Sequence, residues 1–185
     1  MVFGKGINDL SCDIESYQTW HSMIRRSYSP VYHKSKPTYV GTEVDQEWLI
    51  LSIFNKWFVL NNVQGWQLDK DLLGQDLKLY SKETCVFLPN EINCALKTDM
   101  GKNGLPPGVS YKTSNCKYVA QLSVVNENGT RTNRHLIISN SPFECAEVYK
   151  AEKEKYIKSL AQKHVDRLDR RAYDALLKFE VKGNT

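Results

Sequence analysis

The sequence predicts a mixed α+β fold, with N-terminal helices leading into a small strand–strand–helix unit, followed by a three-stranded antiparallel sheet packed on a long helix. Three observations point there. Apolar residues recur at helical spacing over 15–28 and 46–61. From 66 to 97 the pattern changes to two short apolar runs and then a proline-led helical segment. Beyond 108, three alternating runs precede "SPFE", a helix start in which Ser141 can cap, Pro142 fits the first turn and Glu144 completes a capping box.

In order, "ESYQTWHSMIRRSY" puts Tyr17, Trp20 and Ile24 on one helical face, with Arg25 and Arg26 near the C-terminal end. "SPVYHKSKPTYVG" reads as a loop punctuated by Pro30 and Pro37. A helix over 46–61 buries Trp48, Leu51, Phe54 and Phe58. "WQLDKDLL" and "TCVFL" are expected strands, and Pro89 opens a helix through "NEINCALKT". "DMGKNGLPPG", 99–108, is the expected linker between a domain at 1–98 and one at 109–185. In the latter, "GVSYKTSN", "KYVAQLSVVN" and "TRTNRHLIIS" are the strands, with "ENG" at 127–129 as a hairpin signal. The helix from Ser141 runs to about Lys163, and "DRLDRRAYDALLKF" forms a last short one.

Composition narrows the function classes. The longest apolar run, "WLILSIFNKWFVL", is too short and interrupted to span a bilayer, so no membrane partner is expected. The N-terminus lacks the basic region and apolar core of a secretory signal, which implies a soluble, cytoplasmic protein. Cys12, Cys85, Cys94, Cys116 and Cys145 are scattered and include no C-x-x-C pair, so they read as free thiols in a reducing compartment and not as a zinc site. The net charge of +4 is uneven. Residues 1–100 hold ten Lys and Arg against twelve Asp and Glu, and 101–185 hold fifteen against nine. A basic second half suits a polyanion.

The stretch "QLDKDLLGQDLKLYSKETCVFLPNEIN" concentrates candidate chemistry. Phosphodiester hydrolysis with one divalent metal needs a carboxylate, a second oxygen ligand and a base for water. A strand–strand–helix unit can supply the first from a strand end and the second from the helix. The alternative is a surface hairpin in which Asp69 only makes a turn contact.

"LDKD", then "YSKETC", then "EIN" resembles the HNH nucleases, whose hairpin-plus-helix fold is called ββα-metal. The lead-in blocks "YQTWHSMIRRSYSP", "KPTYVG" and "EWLILSIFNKWF" are similar to those of phage-encoded HNH proteins, so the resemblance spans roughly 4–97. It implies that Asp69 and Asn93 hold one Mg²⁺ or Mn²⁺, and that Tyr80, Ser81, Glu83 and Cys85 belong to the second-strand motif. It also places the protein in the host cell cytoplasm if phage-encoded. Two positions depart from the family. Lys70 stands where a general-base histidine is common, and Thr84 where an asparagine is expected. A lysine with pKa ~10.4 is protonated at neutral pH and holds phosphate better than it takes a proton. His21, His33 and His135 are the candidates to replace the missing base.

The second half is similar to the DNA-binding domain of plant ethylene-response factors, which phage HNH proteins often carry. The resemblance implies a sheet lying in the major groove of double-stranded DNA, with alternate side chains reaching bases and phosphates. The candidates are Lys112, Lys117, Tyr118, Gln121, Arg131 and Arg134. The expected function is a nicking or homing DNA endonuclease with Asp69, Lys70 and Asn93 at its catalytic centre. The alternative is an HNH-like DNA-binding protein without catalysis, acting as a regulator or inhibitor.

Overall fold

The computed structural model describes residues 1–98, 104–126 and 129–181, in a mixed α+β architecture. Contacts divide the chain into two compact units, Met1–Pro89 and Asn90–Thr185. That boundary precedes the expected linker at 99–108, of which 99–103 lie outside the described residues. Residues 127–128 of the expected hairpin turn also lie outside them.

In the first unit, α1 (Glu15–Tyr28) matches its expected span and buries Trp20, Met23 and Ile24. The segment read as a loop instead contains α2 (Pro30–Ser35) and a 3₁₀ turn at Pro37–Tyr39. The Ser29 hydroxyl accepts the Tyr32 N–H at 3.3 Å, and Pro30 fits the first helical turn, so the chain restarts a helix there. β1 (Glu43–Val44) follows. The helix expected over 46–61 is split into a 3₁₀ turn at Glu47–Leu49 and α3 (Leu51–Asn61). The break has a backbone cause. Ile7 donates to the Leu49 carbonyl at 2.8 Å and accepts from Leu51 N–H at 3.0 Å, which holds Ile50 extended.

The run "WQLDKDLL" is strand only as β2 (Gln67–Asp69). The Asp69 carboxylate then starts a single helical turn, α4 (Asp71–Gly74), which ends the strand. β3 (Leu79–Tyr80) pairs in parallel with β1, and β4 (Val86–Leu88) pairs antiparallel with β2, setting Asp69 opposite Val86. These pieces close on one core containing Trp20, Trp48, Phe54, Tyr80 and Phe87. The Trp20 indole N–H donates to the Trp48 carbonyl at 2.8 Å, so the largest buried ring has its polar atom satisfied.

The second unit begins with α5 (Asn90–Ala95). Its sheet is β5 (Val109–Lys112), β6 (Lys117–Val125) and β7 (Arg131–Ser139), antiparallel in that order, as the alternation predicts. Register shifts between Ala120 and Gln121: Ala120 faces Ile137 and Gln121 faces His135, so Leu136 is an extra residue in β7. α6 (Pro142–Lys163) packs on the sheet, and α7 (Arg170–Leu177) packs on α6. The expected capping box is relayed. Ser141 accepts the Glu144 N–H at 3.3 Å, but the Glu144 carboxylate takes the Ser139 hydroxyl, whose oxygen in turn accepts the Ser141 N–H at 3.0 Å. Gly108 enters β5 with φ +71°, and a Cβ there would lie 2.1 Å from the Tyr149 ring.

No helix among the described residues is long and apolar enough to cross a membrane, and all five cysteines are free thiols.

Candidate functional site

Asp69 ends β2 half-buried. Its Oδ1 accepts the backbone N–H of Asp71 at 3.1 Å and of Leu72 at 2.9 Å. Both bonds fall on one oxygen, so the carboxylate is fixed in orientation while Oδ2 takes neither. Burial raises the Asp69 pKa above the usual aspartate range, and the two amides oppose that shift only in part.

Lys70 is buried, with its ammonium paired to the exposed Asp71 carboxylate. It lies 5.9 Å from the Tyr39 ring centroid and 5.7 Å from that of Tyr80. Arg26 donates to the Tyr80 hydroxyl at 3.4 Å, and burial moves that phenol's pKa upward. The lysine therefore sits between two rings and a carboxylate. Neither Tyr39 nor Asp71 was singled out from the sequence, and Arg26 was read only as a charge at a helix end, because Arg26 and Tyr39 reach this place from 54 and 41 positions before Tyr80.

The motif residues after β3 have a local structural role. Thr84 Oγ1 donates to the Leu79 carbonyl at 2.7 Å and accepts the Ser81 N–H at 3.1 Å, locking the turn into β4. Threonine thus supplies both bonds at the position where the family pattern has an asparagine. Burial pushes the Cys85 thiol up to about 12, which excludes a thiolate nucleophile there at neutral pH. His33 Nε2 donates to the Arg26 carbonyl at 2.8 Å, and His21 packs against Phe3 and Tyr17, so both histidines of the lead-in have packing or backbone roles.

In the second unit, Asn93 lies half-buried on α5, beside the buried Ile92 and Ala95. Glu91 ties this short helix to α6 through Lys163 at 2.9 Å and His164 at 2.5 Å. The buried Lys153 ammonium donates to the Lys97 carbonyl at 3.3 Å just beyond it. Sequence patterning gave no hint of these ties, which join residues 56 to 73 positions apart. Asp69 belongs to the first unit and Asn93 to the second.

The six sheet candidates are divided by the pleat. Tyr118, Ala120, Leu122 and Val124 of β6 face α6, packing with Cys145, Tyr149 and Tyr156. Tyr118 therefore joins the core side. Arg134 opposes Leu122 and reaches Glu152 of α6 at 2.5 Å, so it too lies on the helix side. Lys112, Lys117, Gln121 and Arg131 share the opposite face. Ser123, Asn133 and His135 add to it, and the Gln121 amide donates to His135 Nε2 at 2.8 Å. Val119 on that face is fully buried, so the exposed groups form two clusters, Lys112–Lys117 and Gln121–Arg131, on either side of it.

Asp69 and Asn93 are hard oxygen donors, the type that suits Mg²⁺ or Mn²⁺. Among the described residues no group of three or more His, Cys, Asp or Glu is placed to hold an ion, so a metal on Asp69 would draw further ligands from water and phosphate.

Comparison with family models, curated proteins and solved structures finds no match to this chain.

Proposed function

We propose that the chain is a DNA-binding endonuclease of the HNH type, working in the cytoplasm, with one Mg²⁺ or Mn²⁺ and double-stranded DNA as substrate. The observation that carries this reading is the Asp69 carboxylate, fixed through Oδ1 at a strand end with Oδ2 left over. The resemblance to HNH nucleases supplies Asn93 as a further ligand. When bound, the metal would neutralise charge developing on the phosphate and the leaving oxygen. The chain's own part is to orient Asp69, to hold DNA along Lys112, Lys117, Gln121 and Arg131, and to stiffen the Asp69 loop. Lys70 does the last of these: its ammonium pairs with Asp71 and is flanked by two rings, so it is engaged within the loop at the position where the resemblance expects a base.

That same arrangement favours a second reading, a DNA-binding protein without catalysis that acts as a regulator or inhibitor. Incubation with supercoiled plasmid separates the two. The nuclease reading expects nicking that needs Mg²⁺ or Mn²⁺ and disappears in Asp69→Ala and Asn93→Ala. Plasmid left intact by the wild type with either metal, while still shifted on a gel, selects the binding protein.

A further inference from the structure

We propose that the first unit carries a second nucleic-acid surface, a ladder of cations and tyrosine rings that holds an unpaired DNA strand. Although the first hundred residues are net acidic, no Asp or Glu occurs between Glu15 and Glu43, and that interval holds Arg25, Arg26, Lys34 and Lys36. The fold gathers this interval into a continuous run of contacts. The Arg25 guanidinium lies 5.2 Å from the centroid of Tyr32, and the Tyr32 and Tyr39 rings meet edge to face at 5.5 Å. Behind these rings the buried Lys70 lies against Tyr39 and the core residue Tyr80, and Arg26 closes the run at the Tyr80 hydroxyl, so Tyr32 and Tyr39 are the rings within reach of a ligand. Arg26 donates only to neutral oxygens, those of Ser22 and Tyr80, and forms no ion pair with a described carboxylate. Arg25, Lys34 and Lys36 are exposed.

A cavity of about 290 Å³ opens at the Tyr39 end, lined in part by Thr38, Tyr39, Lys70 and Lys78. Asp71 and Asp76 also line it, so its wall is not uniformly positive. A phosphate is poorly received there, whereas a neutral base can lie against the Tyr39 ring. The strand's phosphates then follow Arg25, Lys34 and Lys36. Aromatic faces for bases beside cations for phosphates are how sequence-tolerant single-strand sites are built. A base stacked in a duplex cannot enter such a cavity, which is why the occupant is an unpaired strand.

This inference takes from the proposed function only that the polymer is DNA. Fluorescence anisotropy with a labelled oligo-dT and a labelled duplex, each titrated with full-length protein between about 50 and 200 mM salt, tests it. Arg25→Ala/Lys34→Ala/Lys36→Ala should reduce the log–log salt slope for the single strand by about 2, at roughly 0.7 per phosphate contact. Tyr39→Leu should weaken single-strand binding roughly tenfold with the slope kept. Lys112→Ala/Lys117→Ala/Arg131→Ala should bind the single strand as wild type does. The ladder is overturned if its variants bind the single strand like wild type, or lose single strand and duplex by the same factor. If instead the sheet variant keeps full duplex affinity, the sheet reading falls and the ladder stands.

Discussion

At Asp69 a single carboxylate caps a helical turn with one oxygen and is raised in pKa by its own burial. A raised carboxyl binds its proton more tightly in the folded chain, so its effect on stability is harmless in acid and costs stability as pH climbs above the unfolded value of ~3.9. Asp69→Asn keeps an oxygen for the two amides and removes the charge. Its thermal midpoint should exceed that of wild type at pH 7, with the gap closing on acidification, while any metal-dependent nicking is lost. Equal midpoints across that range would mean that the carboxylate is well solvated. The aspartate itself was legible as a residue of interest in "LDKD". Its turn contact was legible only as one of two readings, because an Asx turn and a strand continuation begin with the same residues.

Among the elements, α5 and β5 depend on contacts that local pattern does not reveal. α1, the three strands of the second unit and the start of α6 were readable because apolar period and capping residues are local signals, whereas α2 and α4 were read as loop and strand. The split at Ile50 was not readable, because it comes from pairing with Ile7, forty-three positions earlier. α5 hangs on Glu91. Burial pushes its carboxyl up, but Lys163 and His164 outweigh that and set its pKa below the usual glutamate range. A lowered carboxyl contributes stability above the unfolded value of ~4.3 and loses it as pH falls through the folded one. Glu91→Gln should therefore melt lower than wild type at neutral pH and converge with it in acid, the reverse of the Asp69 trend. At β5, Gly108→Ala combines left-handed strain of roughly 1–2 kcal/mol with overpacking against Tyr149 of roughly 1–3 kcal/mol. Denaturant unfolding should register a loss in that combined range. A loss below 1 kcal/mol would mean that the Tyr149 ring moves aside freely.

For the whole molecule, the proposed DNA contact of the basic second half runs along one sheet face. Removing Lys112, Lys117 and Arg131 together should lower duplex affinity and reduce the salt slope by about 3, near 0.9 per contact. Arg134→Ala should leave the slope unchanged and cost at most about 1 kcal/mol of stability, because its charge is spent on Glu152 in a partly exposed pair. A reduced slope in Arg134→Ala would return that arginine to the DNA side. Arg131 and Arg134 are three positions apart, so alternation alone puts them on opposite faces. The sequence could not say which faces outward, because the extra residue at Leu136 decides it. Had the register at the Ser139 end held along all of β7, Arg134 would stand opposite Ser123 and look away from α6, while Arg131 and His135 turned toward it. The bulge thus behaves like a reading frame inside a strand. Point substitutions in β7 alter one side chain each, but a change that drew Leu136 into the ladder would exchange the whole outward set. Loss of Leu136 itself would do the opposite, straightening the strand with Arg131, Asn133 and His135 still facing outward.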